Sequence, residues 1–221
     1  IHKLEGDLAS TLWSTRVGNG SGTQDMSPSA FLVSNCGQIY FSGWAGATNN
    51  FGIPTNSNSH GMPITPDAFQ PITDGSDFYL MVLDPDAAGL SYATYFGGTS
   101  AEHVDGGTSR FDKNGKVYQA VCAGCNGSFP TTPGAHATTN GHPNCNLGVF
   151  KFDLNIPIAS IGIDGPDQIC FPADVQFINN STGGNMFLWD FGDGNTSDEF
   201  APMHSYTGPG VFSVSMVMTD E

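Results

Sequence analysis

The stretch WDFGDG at residues 189–194, followed by HSY at 204–206, decides the fold of the C-terminal part of this chain. Trp189 and Phe191 are two residues apart, so in a β-strand both side chains lie on one face and can enter a core. The Gly-Asp-Gly string that follows favours a tight turn, because glycine tolerates positive φ and aspartate hydrogen-bonds the nearby backbone. The stretch therefore predicts a strand with a buried aromatic face that ends in a turn.

His204 and Tyr206 are likewise two residues apart, so they share one face of the next predicted strand. A tyrosine in such a place can bury its ring and hydrogen-bond its hydroxyl group to the backbone, as in the tyrosine corner of immunoglobulin-like sandwiches. We interpret His204 as a hydrogen-bonded structural histidine rather than a metal ligand.

The order of these motifs, from about residue 158 to residue 221, closely resembles that of the PKD (polycystic kidney disease) domain, an immunoglobulin-like β-sandwich. The resemblance implies that residues 156–221 form such a sandwich and act as a spacer or as a module that contacts proteins or glycans. The residues that carry the motif are Trp189, Phe191, Gly192, Asp193, Gly194, His204 and Tyr206.

The preceding part of the chain contains two copies of a long repeat, at about 12–84 and 90–153. The second copy carries YATYFGG at 92–98 and FPTTPGA at 129–135, and the first carries ITPDAF at 64–69 in the place of the latter. Each copy offers four short strand candidates separated by turns, which is typical of the four-stranded blades of β-propellers. The sequence therefore predicts an all-β protein in which blades precede a sandwich.

The second copy resembles the bacterial propeller repeat known as the SBBP repeat, and the first copy is a degraded match. The resemblance implies that residues 1–155 belong to a larger propeller of an exported, cell-surface protein. Together with a PKD domain, such repeats are similar to adhesins of gliding Bacteroidota, which implies type IX secretion and a link to gliding motility. Two blades do not close a ring, so we expect further blades, or another molecule, to cover them. If the chain is a structural subunit of a larger surface assembly, we also expect large apolar patches on the open face of the first blade.

The charge of the chain excludes several classes of partner. Six Lys and Arg residues stand against 21 Asp and Glu residues, which gives a formal net charge of −15. Nucleic acids and anionic membrane surfaces attract basic proteins, so neither is an expected partner. The sequence has no run of about 18 apolar residues, so membrane insertion is not expected either. The acidity suits a solvated surface, and Ca²⁺ binding by clustered carboxylates is the alternative.

Five cysteines, at positions 36, 122, 125, 145 and 170, suit an exported protein in which disulfides persist. We expect Cys145 to pair with Cys122 or Cys125, because the strands near them occupy neighbouring places in a blade. A zinc site that includes His142 is the alternative, although the ligand spacing matches none of the usual zinc families. No other cofactor is expected.

No catalytic centre is expected, and the chain is predicted not to be an enzyme. Ser100, His103 and Asp105 have the residue types of a catalytic triad, but there is no nucleophile elbow and the string belongs to a turn of the repeat. Asp84 and Asp86 could offer oxygen ligands to Ca²⁺. This pair alone falls short of six oxygens, so a turn between the copies is the preferred interpretation.

These observations predict a non-catalytic segment of a large exported protein at the cell surface, acting in adhesion, display or contact with proteins or glycans. One alternative is a set of accessory domains of an exoenzyme, a protease or polysaccharide hydrolase, whose catalytic domain lies outside the segment. The other alternative is a structural subunit of a larger surface assembly. The loops at 47–62 and 126–144 are the expected contact sites.

Overall fold

The computed structural model describes residues 1–47, 56–99, 101–104, 109–112, 115–125, 127–154, 157, 159–181 and 183–219. These residues form β-strands and one short 3-10 helix, which confirms the all-β prediction. The chain divides into two compact units, residues 1–154 and 155–221. No helix in the described ranges has the length and apolar character needed to cross a bilayer.

The N-terminal unit is made of short strands joined by turns. Its strands are β1 (His2–Leu4), β2 (Thr11–Ser14), β3 (Ser27–Val33), β4 (Ile39–Trp44), β5 (Gly46–Ala47), β6 (Asn56–Ser57), β7 (Phe78–Leu83), β8 (Leu90–Phe96), β9 (Arg110–Phe111), β10 (Val117–Ala123) and β11 (Asn146–Phe152). The 3-10 helix (Pro85–Ala87) joins β7 to β8.

The first large sheet is antiparallel, in the order β3-β4-β7-β8. Strand β7 reads FYLMVL and all six of its side chains are buried, so both faces of this sheet are covered. Strand β8 comes from the second sequence copy, yet Phe96 pairs with Phe78 of β7 and completes the first sheet. The sheet therefore spans the boundary between the two copies.

The second sheet, in the order β11-β10-β9, packs on one face of the first. The contact is largely aromatic: the ring centroids of Phe96 and Phe150 are 4.6 Å apart, and those of Phe78 and Phe150 are 5.2 Å apart. Gln119 Nε2 also donates a hydrogen bond to Ser42 Oγ, which joins two buried polar side chains across the contact.

The opposite face of the first sheet is covered around the central strand β7. Tyr79 and Met81 of β7 lie there in a buried cluster with Met62, and the cluster packs against Trp13 and Met26. The N-terminal segment and the loop before β7 cover this part of the face, whereas Phe31 and Val33 of β3, on the same face, are 55% and 52% exposed. The apolar patch expected on the open face of the first blade stays a prediction.

Exposed apolar side chains also lie on the outer side of the second sheet. Leu147 and Val149 of β11 are 74% and 72% exposed, and Val149 is paired with Ala120 of β10. Tyr118 of β10 adds an exposed ring to the same side. We refer to these four residues as the β10–β11 face. The described residues form no closed barrel or propeller.

The C-terminal unit is a sandwich of two three-stranded sheets. Its strands are β12 (Ile161–Ile163), β13 (Ala173–Asn179), β14 (Met186–Asp190), β15 (Thr196–Ser197), β16 (Met203–Tyr206) and β17 (Ser215–Thr219). The sheets have the orders β12-β13-β16 and β15-β14-β17. Val175 and Phe177 of β13 pack against Trp189 of β14 and against Phe191, and these four side chains form the core.

Candidate functional site

Trp189 is the centre of the C-terminal core. Its side chain is fully buried, and its ring centroid lies 5.5 Å from that of Phe177. The indole Nε1 donates a hydrogen bond of 2.9 Å to the backbone oxygen of Glu199, so the polar atom of the ring is satisfied. A buried tryptophan with its donor paired is a structural anchor.

Asp193 and His204 form a pair next to this core. His204 Nε2 and Asp193 Oδ2 are 2.8 Å apart, and the imidazole stacks on Phe191 with ring centroids 4.1 Å apart. The edge of Tyr206 closes the other side of His204, at 4.6 Å. Burial raises the pKa of Asp193, but the hydrogen bonds from His204 and Asn195 outweigh it, so this pKa lies below its usual value.

The turn after β14 needs its glycines. Gly192 and Gly194 have φ of 77° and 91°, and a Cβ on Gly192 would lie 2.6 Å from the backbone oxygen of Ser213. Tyr206 Oη donates a hydrogen bond of 3.1 Å to the backbone oxygen of Phe191. The structure thus brings the seven motif residues together around one corner of the sandwich, where they join the two sheets.

Acid should weaken this corner. The pKa of Asp193 is depressed below its usual value of 3.8, so the stability it contributes is present above that pH and is lost as the pH falls through the folded-state pKa. We expect Asp193→Asn to flatten the fall in melting temperature of the C-terminal unit between about pH 5 and pH 2. The measurement is thermal unfolding by circular dichroism at a series of pH values. The exposed Asp198→Asn is the control, and an equal slope in both variants would contradict the prediction.

The loop between β10 and β11 is tied back to its own strands. Cys145 bonds Cys125, one of the two partners that the sequence left open, whereas Cys122 lies within β10. Asn140 Nδ2 donates to the backbone oxygens of Gly124 and Asn144, at 2.9 and 2.7 Å. An open polar pocket of about 500 Å³ lies here, lined by Gly124, Gly127, Asn140, Gly141, His142 and Pro143. Of the other expected contact loop, residues 48–55 lie outside the described residues.

The metal candidates from the sequence have structural partners. The disulfide uses two cysteines of the zinc alternative, and among the described residues no group of three or more His, Cys, Asp and Glu side chains could hold a metal ion. Asp86 forms an ion pair with Lys3 and accepts a hydrogen bond from Trp13 Nε1 at 3.0 Å. These two hydrogen bonds lower the pKa of Asp86. The carboxylate therefore fastens the first strands to the 3-10 helix.

Two of the three triad candidates, Ser100 and Asp105, fall outside the part of the chain that the structure describes. His103 is buried, its ring centroid lies 5.9 Å from that of Trp44, and its backbone bridges to Cys122.

An exposed strip that the sequence reasoning missed runs across the sheet of β14 and β17. Met186 and Leu188 point outward from β14, and Val217 of β17 is paired with Leu188. We call these three residues the apolar strip. The alternation of MFLW at 186–189 was the available signal, because it places Met186 and Leu188 on the face opposite Phe187 and Trp189.

Comparison with known families decides what this sandwich is. The sequence pattern of the PKD-domain family matches residues 155–221. Residues 155–221 are a PKD domain. PKD domains are non-catalytic accessory domains. Trp189 and Phe191 of the motif accordingly belong to the structural core of the PKD domain.

Three relatives carry segments similar to this chain. A collagenase, ColQ1 of Bacillus cereus, is 30% identical over 79 residues, which is 34% of this chain and 8% of that protein. The pre-pro-metalloprotease PrtV of Vibrio cholerae is 46% identical over 48 residues, which is 21% of this chain and 5% of that protein. A microbial collagenase of Vibrio alginolyticus is 49% identical over 45 residues, which is 19% of this chain and 6% of that protein. The similarity lies in the PKD portions of these larger proteins.

Proposed function

We propose that this chain is a non-catalytic, substrate-contacting segment of an extracellular protease, and that its PKD domain holds a fibrous protein of the collagen type. The observation that carries the proposal is the apolar strip on a domain whose relatives include two collagenases and a metalloprotease. Apolar side chains on a rigid sheet lose little conformational entropy on binding, so such a row suits a repetitive protein surface.

Adhesion or display at a cell surface is the second candidate function, because it also requires binding and no catalysis. The relatives favour the protease setting over it, since each of the three is named as a protease. Export by type IX secretion, a gliding Bacteroidota source and a role in gliding motility rest only on the resemblance of the N-terminal repeats. Glycans are the alternative partner.

The test is co-sedimentation of the 221-residue chain with insoluble collagen fibrils, with microcrystalline cellulose as the glycan probe. We expect the wild-type chain to bind collagen, and the double variant Leu188→Ser/Val217→Ser to lower the bound fraction at least about fivefold. Exposed apolar contacts contribute on the order of 1 kcal/mol each, which is a factor of about five.

Val211→Ser is the matched control, because it removes a fully exposed apolar side chain that lies outside the strip. Its binding should equal that of the wild type. If the chain sedimented with cellulose and not with collagen, its partner would be a glycan and not a fibrous protein. Equal collagen binding by the double variant and the control would overturn the proposed role of the strip.

A structural role for the N-terminal unit is favoured by a separate observation. In the sequence repeat, Tyr118 and Ala120 of β10 correspond to Tyr40 and Ser42 of β4, which face the second sheet. The β10–β11 face is thus equivalent to a face that already packs on a sheet. We propose that it packs on a further blade, as part of a larger propeller. The test is protection of Leu147 and Val149 from hydroxyl-radical labelling in the native-length polypeptide, and equal labelling in the 221-residue chain would overturn it.

A further inference from the structure

Two carboxylates in the N-terminal unit, those of Asp77 and Glu102, meet beside the end of β8. Both side chains are fully buried. A Cβ built on Gly97 would lie 1.9 Å from Asp77 Oδ1 and 2.9 Å from Glu102 Oε2, so both oxygens border the same small space. Only glycine at position 97 leaves that space open.

The second oxygen of each carboxylate, the one turned away from the shared space, accepts hydrogen bonds. Asp77 Oδ2 accepts hydrogen bonds from Gln70 Nε2 at 3.2 Å and from the backbone N–H of Asp74 at 3.3 Å. Glu102 Oε1 accepts one from the backbone N–H of Gly98 at 3.3 Å. Donors to a carboxylate favour its ionised form, so these hydrogen bonds oppose the protonation that burial favours.

Asp77 Oδ1 has no hydrogen-bond partner among the described residues, and no ion pair formed within them includes Asp77. A buried, ionised carboxylate that faces another one is strongly unfavourable unless a proton or a cation lies between them. Burial disfavours the charged form of Asp77, and it is the main cause that raises the pKa of this carboxyl group. The exposed Asp86 differs, because Lys3 already neutralises it.

The chemistry of the pair selects the cation. Two carboxylates neutralise one divalent ion, and a site made of oxygen atoms suits a hard cation such as Ca²⁺. The backbone at the site is also fixed, since Gly97 N–H donates to Gln70 Oε1 at 3.0 Å and a Cβ on Gly98 would lie 1.7 Å from Ser128 O. We propose that Asp77 Oδ1 and Glu102 Oε2 bind a calcium ion beside Gly97. Water or backbone oxygens must supply its other ligands, because Ca²⁺ takes six to eight.

The first measurement is calorimetric titration of the 221-residue chain, stripped with EGTA, with CaCl₂ and separately with MgCl₂. We expect one Ca²⁺ site per chain. At a free concentration about 100 times the dissociation constant, we also expect Ca²⁺ to raise the melting temperature of the N-terminal unit by about 5–10 °C. Absence of a stoichiometric site in the wild-type chain would overturn the proposal whether or not any variant folds.

Asp77→Asn and Glu102→Gln remove one charge each and nearly preserve shape, so each should abolish the calcium site and the calcium-dependent rise in melting temperature. Asp67→Asn is the matched control, because Asp67 is an exposed aspartate of the same unit and its loss should leave the site intact. A site retained in Asp77→Asn would show that calcium binds elsewhere on the acidic surface. A different outcome would be a wild-type melting temperature that does not change with Ca²⁺ and falls as the pH rises from about 5 to 8. It would show that Asp77 and Glu102 share a proton and do not bind a calcium ion.

Discussion

Replacing Trp189 by alanine should unfold the PKD domain at temperatures where the N-terminal unit is still folded. The side chain is fully buried, contacts Phe177 and donates to Glu199 O. Truncation of a buried tryptophan to alanine loses about 3–5 kcal/mol. A unit of this size has a total stability of only about 3–10 kcal/mol, so the variant domain retains little or none. Differential scanning calorimetry should show its transition lowered by at least about 12 °C.

The control for this experiment is Val211→Ala, which trims a fully exposed side chain of the same domain. Its effect should stay within about 0.5 kcal/mol, because surface substitutions away from structural contacts are nearly neutral. Trp189→Phe should fall between the two, since it keeps an aromatic ring and loses the hydrogen bond to Glu199. If the PKD domain melted at the same temperature in Trp189→Ala as in the Val211→Ala control, Trp189 could not be the centre of the core.

Replacing Phe96 by alanine should have the corresponding effect on the N-terminal unit. The ring lies between the two sheets, with centroids 4.6 Å from Phe150, 5.5 Å from Phe152 and 5.7 Å from Phe129. Its truncation leaves a cavity and removes several aromatic pairs at once, so we expect a loss of about 3–5 kcal/mol. The transition of this unit in calorimetry should fall by about 6–20 °C.

Phe31→Ala is the matched control, because Phe31 is a half-exposed phenylalanine of the edge strand β3. It should lower the stability by about 1 kcal/mol or less. Phe96→Leu should recover most of the loss, since it refills much of the volume. Equal destabilisation by Phe96→Ala and Phe31→Ala would mean that the contact between the sheets is not the main source of stability.

The PKD sandwich could be read from sequence because its signals are local. The spacing of Trp189 and Phe191 and the Gly-Asp-Gly turn determine which side chains point inward, without knowledge of the rest of the chain. The sheet of β3, β4, β7 and β8 was harder to predict. The repeat marks similarity between copies, whereas hydrogen bonding joins β8 to β7 across the boundary between them.

Two further features could not be predicted from the sequence, because they depend on strand register and on packing. Within β10 and β11, Cys122 is paired with Leu147 and Ala123 with Asn146, so Cys145 lies just past the last pair, where it meets Cys125. A sequence does not give that register. Asp77 and Glu102 were missed for a related reason: they are distant in the chain, and only the packing around Gly97 brings their carboxylates together.

The two sides of the N-terminal unit differ in how much apolar surface they leave exposed. On the side of Tyr79 and Met81, Trp13 and Met26 of the N-terminal segment pack on the buried cluster. On the β10–β11 face, Leu147 and Val149 are 74% and 72% exposed. Neighbouring units of repeat proteins bury such apolar sides against each other. An added sheet would therefore bury more apolar area on the β10–β11 face than on the side of Tyr79 and Met81, where side chains of the same chain already occupy the contact.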